Sequence, residues 1–247
     1  GIWAVLQRIA LCYCIVSLFA LFCNHKYTVP VIIGLLVIYT AILLIGNGYA
    51  EDATINILAQ VDLKLFGYDH LYHHTPVDPE GLLGTISAVA HTLLGFYCGR
   101  LIRQKDTVSD KVIALFVVGT VCVIGGYLLS YGLPLNKCIW SPSYVFVTCG
   151  LASLLQAFLM YVIDIQKKSG WTTFFHVFGV NALALYVSSE LLAILLGHLG
   201  ISGWVYDGLH AVITPDKWAS LAYALYFVLL NFAIGYILYR KKIYIKL

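Results

Sequence analysis

Seven stretches of mostly apolar residues, at about 3–23, 29–46, 82–99, 112–133, 144–163, 177–196 and 218–239, dominate the 247-residue chain. Each is near the roughly 20 residues that a helix needs to cross the hydrocarbon core of a bilayer. In lipid the backbone must satisfy its own hydrogen bonds, and continuous apolar runs of this length do so as helices. Charged residues make up only 11% of the chain and hydrophobic ones 61%, where soluble domains carry roughly 25% and 45–50%. The sequence therefore predicts an all-α membrane protein: a polytopic bundle of about seven transmembrane helices, one transmembrane domain over 1–247, with one long outer loop at 47–81. In this class the net charge of +3 carries no nucleic-acid reading.

Charge placement gives the expected direction of the helices. Lys26, Arg100, Arg103, Lys105, Lys111, Lys167, Lys168, Arg240, Lys241, Lys242 and Lys246 would share one side, and Arg8, Lys64, Lys137 and Lys217 the other. That asymmetry marks the first side as cytoplasmic, with residue 1 outside and the C-terminus in the cytoplasm. The 7 cysteines include no CxxC pair and fall mostly in apolar runs, which argues against a disulfide framework or a zinc site.

Within the outer loop, Ile55, Leu58, Leu65 and Phe66 fall near helical spacing and predict a short amphipathic helix on the membrane surface, over 53–66. The loop ends in Tyr68-Asp69-His70-Leu71-Tyr72-His73-His74-Thr75-Pro76-Val77-Asp78-Pro79-Glu80-Gly81. His70 and His74 have the i, i+4 spacing of two metal ligands on a helix. Pro76 and Pro79 limit any such helix and no third ligand is specified, so no metal is expected; a polar lid or a site lining remain open readings. Asp78-Pro79-Glu80 reads as N-cap, first residue and first-turn acid of the next helix, and Ser141-Pro142 opens another in the same way. Capping explains Asp78 and Ser141. It requires neither an acid at Glu80 nor Asn136, Lys137 and Trp140 on the same outer side.

Several polar residues fall inside the spans. Gln7-Arg8 lies near the outer end of the first, where an arginine snorkels to headgroups or faces a polar cavity. Glu190 sits well inside the sixth, and an intramembrane carboxylate is a functional candidate; a structural pair with Arg8 is the alternative. Asn181, nine residues earlier on the same expected helix, would lie roughly 13 Å deeper. It reads as a ligand contact or as a hydrogen bond between helices. His91 lies beside the Gly95 and Gly99 pair, whose GxxxG spacing predicts close helix packing.

Taken together, these segments resemble the heparan-α-glucosaminide N-acetyltransferase family, the transmembrane acetyltransferases and their bacterial relatives. The resemblance rests on Val5-Leu6-Gln7-Arg8, Tyr68-Asp69-His70-Leu71-Tyr72, Asp78-Pro79-Glu80-Gly81-Leu82-Leu83-Gly84-Thr85-Ile86, Asn136 to Val145, Gly179-Val180-Asn181-Ala182-Leu183 and Tyr239-Arg240-Lys241-Lys242. They come in the family's order and span nearly the whole chain.

The resemblance implies transfer of an acetyl group from cytosolic acetyl-CoA to an amino sugar or glycan on the outer side, in a membrane such as the bacterial inner membrane. It also implies about eleven helices and a catalytic histidine ahead of Leu6-Gln7-Arg8. On that expectation this chain is the later part of a larger bundle, and no histidine in it takes the catalytic role. Ser188-Ser189-Glu190 departs from animal relatives, which tend to carry a histidine before the glutamate. The implied donor and acceptor contacts are Gln7, Arg8, Asp69, His70, Asp78, Glu80, Asn136, Lys137, Trp140, Ser141, Asn181 and Glu190. Expected partners are membrane lipid, acetyl-CoA and the sugar or glycan acceptor; a homodimer stays open. A transporter or flippase for a sugar or lipid-linked sugar needs the same bundle without an acyl donor, and stands as the alternative.

Overall fold

In a computed structural model of the protein, the described residues are 5–71, 75 and 77–245, and nothing is described of the Asp69 side chain. Their regular structure is helical, and the chain divides into two compact units, Gly1–Lys167 and Lys168–Leu247.

The first unit holds α1 (Val5–Phe22), α2 (Thr28–Ile45), α3 (Ile57–Phe66), α4 (Gly84–Gln104), α5 (Val108–Ser130) and α6 (Pro142–Met160), with a π-helical turn at Tyr161–Ile165. Among the described residues of the whole chain, five helices are long and apolar enough to cross a membrane. They expose large apolar side chains outward, such as Ile9, Leu21 and Val37, as lipid-facing surfaces do. The expected third span, α4, differs. Its 21 residues reach about 31 Å, but it is less apolar and packs against α1, α2, α5 and α6. Gly84, Thr85, Ser87, Ala88 and Ala90 are buried along it, because small residues let neighbouring helices come close.

The close-packed glycines are not the expected pair. A Cβ on Gly95 or Gly99 would meet nothing within 4 Å, so this GxxxG motif brings no helix close. The α5–α6 contact does that instead. A Cβ on Gly150 would lie 2.7 Å from the Val123 backbone nitrogen and 2.8 Å from the Gly119 oxygen. The spacing alone could not distinguish the two sites, since it does not say which face meets a neighbour.

The long loop at 47–81 is also built differently from expectation. Asn56 caps α3: its Oδ1 accepts from Leu58 N at 2.9 Å, and its Nδ2 donates to the Gly48 and Ala50 oxygens. The buried face of α3 is Leu58, Ala59 and Asp62, while Ile55 and Leu65 are exposed. Leu58 and Ala59 join Tyr39, Leu43, Val77 and Ile139 in one core cluster. The helix therefore lays its inner face on protein. Asp78 does not cap α4 either. Its Oδ1 accepts from Glu80 N at 2.9 Å within a turn, and α4 begins only at Gly84. Ser141 does cap α6, accepting from Tyr144 N at 3.3 Å ahead of Pro142.

The second unit holds α7 (Thr172–Val180), α8 (Ala182–His198), α9 (Ile201–Val212) and α10 (Asp216–Arg240). The apolar run expected as one span at 177–196 is broken: α7 and α8 meet at Asn181 with an 84° bend, and would count as a sixth span only taken together. Asn181 leaves the helical region at φ −130°, ψ 35°. Its amide is drawn to the C-terminal tail, donating to Ile243 O at 3.0 Å and accepting from Ile245 N at 2.9 Å. The depth difference between Asn181 and Glu190 that a continuous helix would give therefore does not hold. Helix α9 lies where no element was expected.

Gly150→Ala should lower the thermal midpoint in detergent, by the equivalent of roughly 1–3 kcal/mol, because its methyl meets backbone. Gly99→Ala should leave the midpoint unchanged or raise it, through better helix propensity.

Candidate functional site: a polar cluster around Arg8

Arg8 is 4% exposed, on the first turns of α1. A buried guanidinium is tolerated only when its donors are met. Here Nη1 donates to Pro79 O at 2.5 Å and lies 3.5 Å from Glu80 Oε2, while Nη2 reaches Gly81 O at 3.5 Å. The guanidinium carbon also sits 4.8 Å from the centre of the Trp140 ring. The segment 79–81 thus wraps the cation with two carbonyls and one carboxylate. Glu80 is the more open partner, its side chain 24% exposed against 5% for Arg8. With one face fixed by arginine, its carboxylate keeps lone pairs for an ammonium or hydroxyl group.

Glycines make this approach possible. A Cβ on Gly84 would stand 2.5 Å from Arg8 Nη2, and one on Gly81 would stand 2.2 Å from Asp62 Oδ2. Asp62 comes from α3, 1% exposed, and its Oδ1 accepts from Leu82 N at 2.9 Å. Its Oδ2 is buried without a hydrogen-bond partner among the described residues. Burial pushes its carboxyl up to about 6; the Leu82 hydrogen bond and Arg8 oppose the rise, and Asp78 adds to it.

The third wall comes from the turn before α6. Trp140 takes a left-handed φ of 53°, a strained conformation for a bulky residue. Hydroxyls hold it on both sides: Tyr39 donates to Ile139 O, and Ser87 donates to Trp140 O at 2.7 Å. Ser141 Oγ accepts from Asn136 N at 3.0 Å, and Asn136 Oδ1 accepts from Cys138 N at 2.8 Å, which braces the turn from below. Arg8 Nε, Trp140 Nε1 and Asp62 Oδ2 are buried here without hydrogen-bond partners among the described residues. Two such atoms on neighbouring residues, beside the cation's own open Nε, make a site prepared for polar contacts rather than a finished core.

Of the residues singled out in the sequence, the structure brings Arg8, Asp78, Glu80, Trp140 and Ser141 together, with Asn136 as a brace. Gln7 and Lys137 are exposed, and His70 is exposed on the short turn Tyr68–His70. The side chain of Asp69 and the residues His73 and His74 lie outside the described set. Asn181 and Glu190 belong to the second unit, where Glu190 is exposed on α8. Within the first unit the carboxylate that meets Arg8 is Glu80. Asp62, Tyr39 and Ser87 are the members that the sequence reading passed over. For Asp62 the signal was present: it follows Leu58 by one helical turn and so shares its buried face.

No family model matches the chain. Over 222 residues it is 29% identical to heparan-α-glucosaminide N-acetyltransferase of Homo sapiens, covering 81% of this chain and 31% of that protein. Over 153 residues it is 33% identical to the protein of the same name from Mus musculus, covering 53% of this chain and 23% of the relative. The chain thus spans less than a third of the length of these curated relatives.

The raised Asp62 carboxyl has a consequence for stability. The folded protein holds this proton more tightly than the unfolded chain, so the cost of burying the charge is absent below about pH 4 and complete above about pH 6. Asp62→Asn should therefore gain thermal stability over the wild type at pH 7, on the order of 2 kcal/mol, and lose that advantage towards pH 4. A difference that stays constant across this range would show that the carboxylate is not desolvated as described.

Proposed function

We propose that this chain, which is similar over 81% of its length to heparan-α-glucosaminide N-acetyltransferase, forms the acceptor-holding part of a membrane-embedded acetyltransferase of that kind. The observation that carries this reading is the Arg8–Glu80 pair, with a buried cation, a part-open carboxylate and an aromatic face in one place. Glu80 would receive the ammonium or a hydroxyl of an amino sugar or glycan, Trp140 would bear on the sugar's apolar face, and Asp62 and Asp78 would keep the field around the acceptor negative.

The donor in this reading is acetyl-CoA from the cytoplasm, with the Arg8 end of α1 on the outer side and the C-terminus in the cytoplasm. Acetyl transfer forms a bond from the amine nitrogen to the acetyl carbon and breaks that carbon's bond to sulfur. The amine gives up a proton and the thiolate leaving group gains one. Such a step needs a base and donors for the oxyanion. No residue of this chain is assigned as that base. The chain's own contribution is to hold the acceptor and to limit water around it. Gln7, His70 and Lys137 have no part in the cluster as described, and Asn181 and Glu190 belong to the second unit.

The test uses the full-length gene product in vesicles, with labelled acetyl-CoA on one side and glucosamine on the other. A hydrogen bond to a charged group contributes roughly 1.5–3 kcal/mol, so Glu80→Gln should reduce transfer about 10- to 100-fold at a temperature well below the variant's own lowered midpoint, where it is fully folded. Lys64→Ala, on the exposed face of α3, should transfer normally. Unchanged transfer in Glu80→Gln would remove the acceptor role. Movement of glucosamine across the vesicle without acetylation would favour a transporter.

A further inference from the structure

A cleft of about 330 Å³ opens beside the Arg8 cluster, walled by Leu82, Leu83, Ile86 and Val89, with Ile15 of α1 and Leu35 of α2. We propose that it holds the alkyl chain of the acceptor, which is then a neutral glycolipid bearing an amino sugar; this rests on the acceptor role given to Glu80. Three helices place the cleft against the cluster. Leu82 and Leu83 stand between Gly81, whose oxygen Arg8 Nη2 reaches at 3.5 Å, and Gly84, where a Cβ would stand 2.5 Å from Arg8 Nη2. From there Val89 lies roughly 8 Å further along α4, and Ile15 roughly 10 Å beyond Arg8 along α1. Leu35 is one turn from Tyr39, whose hydroxyl stands 3.8 Å from that same Gly84 position. Thr85 marks the change from polar to apolar: it lines the cleft, and its hydroxyl donates to Gly81 O at 3.4 Å. The cleft therefore starts at the guanidinium and runs towards mid-span.

A gap of this kind does not stay empty in a bilayer, because atoms that line a void lose their contacts. Ile15 is 40% exposed at its rim, so a chain can enter sideways from the lipid. Lipid tails are as apolar as the cleft itself, so burial alone selects no occupant. The polar end selects it. Glu80, Asp62 and Asp78 lie around one cation, Arg8, whose guanidinium is already shared among Pro79 O, Gly81 O and the Glu80 carboxylate. A phosphate headgroup would meet a surplus of negative charge there, whereas the ammonium of an amino sugar would be attracted. A chain seated in the cleft would hold that ammonium beside the part-open Glu80, which replaces a search from water by a local encounter.

The full-length gene product in phosphatidylcholine nanodiscs would be photolabelled with octyl glucosaminide carrying a diazirine at the chain end, and with the matching octyl glucoside, which lacks the amine. Adducts of the glucosaminide should fall on the 82–89 segment, Ile15 and Leu35, and those of the glucoside should be several-fold weaker there. In transfer assays, Leu35→Phe and, at the rim, Ile15→Phe should each lower the preference for octyl glucosaminide over glucosamine about tenfold, since overfilling a fitted apolar space costs a factor of that order. The preference is a ratio, so a general loss of folded protein cancels. Ile33→Phe, on the exposed face of α2, should keep the wild-type preference. Adducts spread equally over exposed residues such as Val37 and Ile38, or a preference unchanged in both cleft variants, would overturn the chain's place in the cleft while leaving the acceptor role of Glu80 standing. Amine-dependent adducts in the cleft, with no acetyl transfer to either substrate, would support the glycolipid site and remove the acetyltransferase reading.

Discussion

A guanidinium buried in the first turns of a membrane helix dictates much of what surrounds it. Arg8 cannot leave its donors dry, and α1 supplies none of the acceptors itself, since its backbone carbonyls are used within the helix. The acceptors come from a segment more than seventy residues away, as Pro79 O, Gly81 O and the Glu80 carboxylate. That demand pulls the end of the long loop against α1. It also explains two glycines: at positions 81 and 84 a side chain would occupy the space that Asp62 and Arg8 need. A run that reads in sequence as a helix start becomes, for this reason, a wrap around a cation.

The second-order features follow from that wrap. Leu82 N, turned away from regular helix, is met by Asp62 from α3, and this ties the amphipathic helix into the cluster. Trp140 closes the guanidinium's other face from a left-handed backbone, and hydroxyls of α2 and α4 restrain that backbone. Strain held by surrounding hydrogen bonds, together with buried polar atoms still open, is the pattern of a site organised before its ligand arrives. The similarity to heparan-α-glucosaminide N-acetyltransferase gives the cluster a chemical context. The cluster gives the Asp78-Pro79-Glu80-Gly81 and Asn136-to-Ser141 segments a physical reason.

The long apolar runs were legible because length and composition alone constrain a helix in lipid, and α1, α2, α5, α6 and α10 follow them. What remained hidden needed knowledge of neighbours. Gly95 and Gly99 have the spacing of a packing motif but face open space, whereas Gly150 meets α5. Asn181 breaks an apolar run because a tail more than sixty residues on takes its amide. Asp78 serves a turn because Arg8 claims the carbonyls beside it. Arg8, Glu80 and Trp140 could each be suspected from type and position, but their convergence lies in tertiary structure and no periodicity encodes it.

The central claim is that Arg8 and Glu80 act as one coupled unit organising their end of the first unit. A double-mutant cycle with Arg8→Gln, Glu80→Gln and the double variant, read by unfolding in a fixed detergent, measures that coupling directly. The structure predicts that the double variant is more stable than the sum of the single losses implies, with a coupling of about 1–3 kcal/mol. Additive losses would mean that the two side chains lie near one another without depending on each other, and would contradict the account.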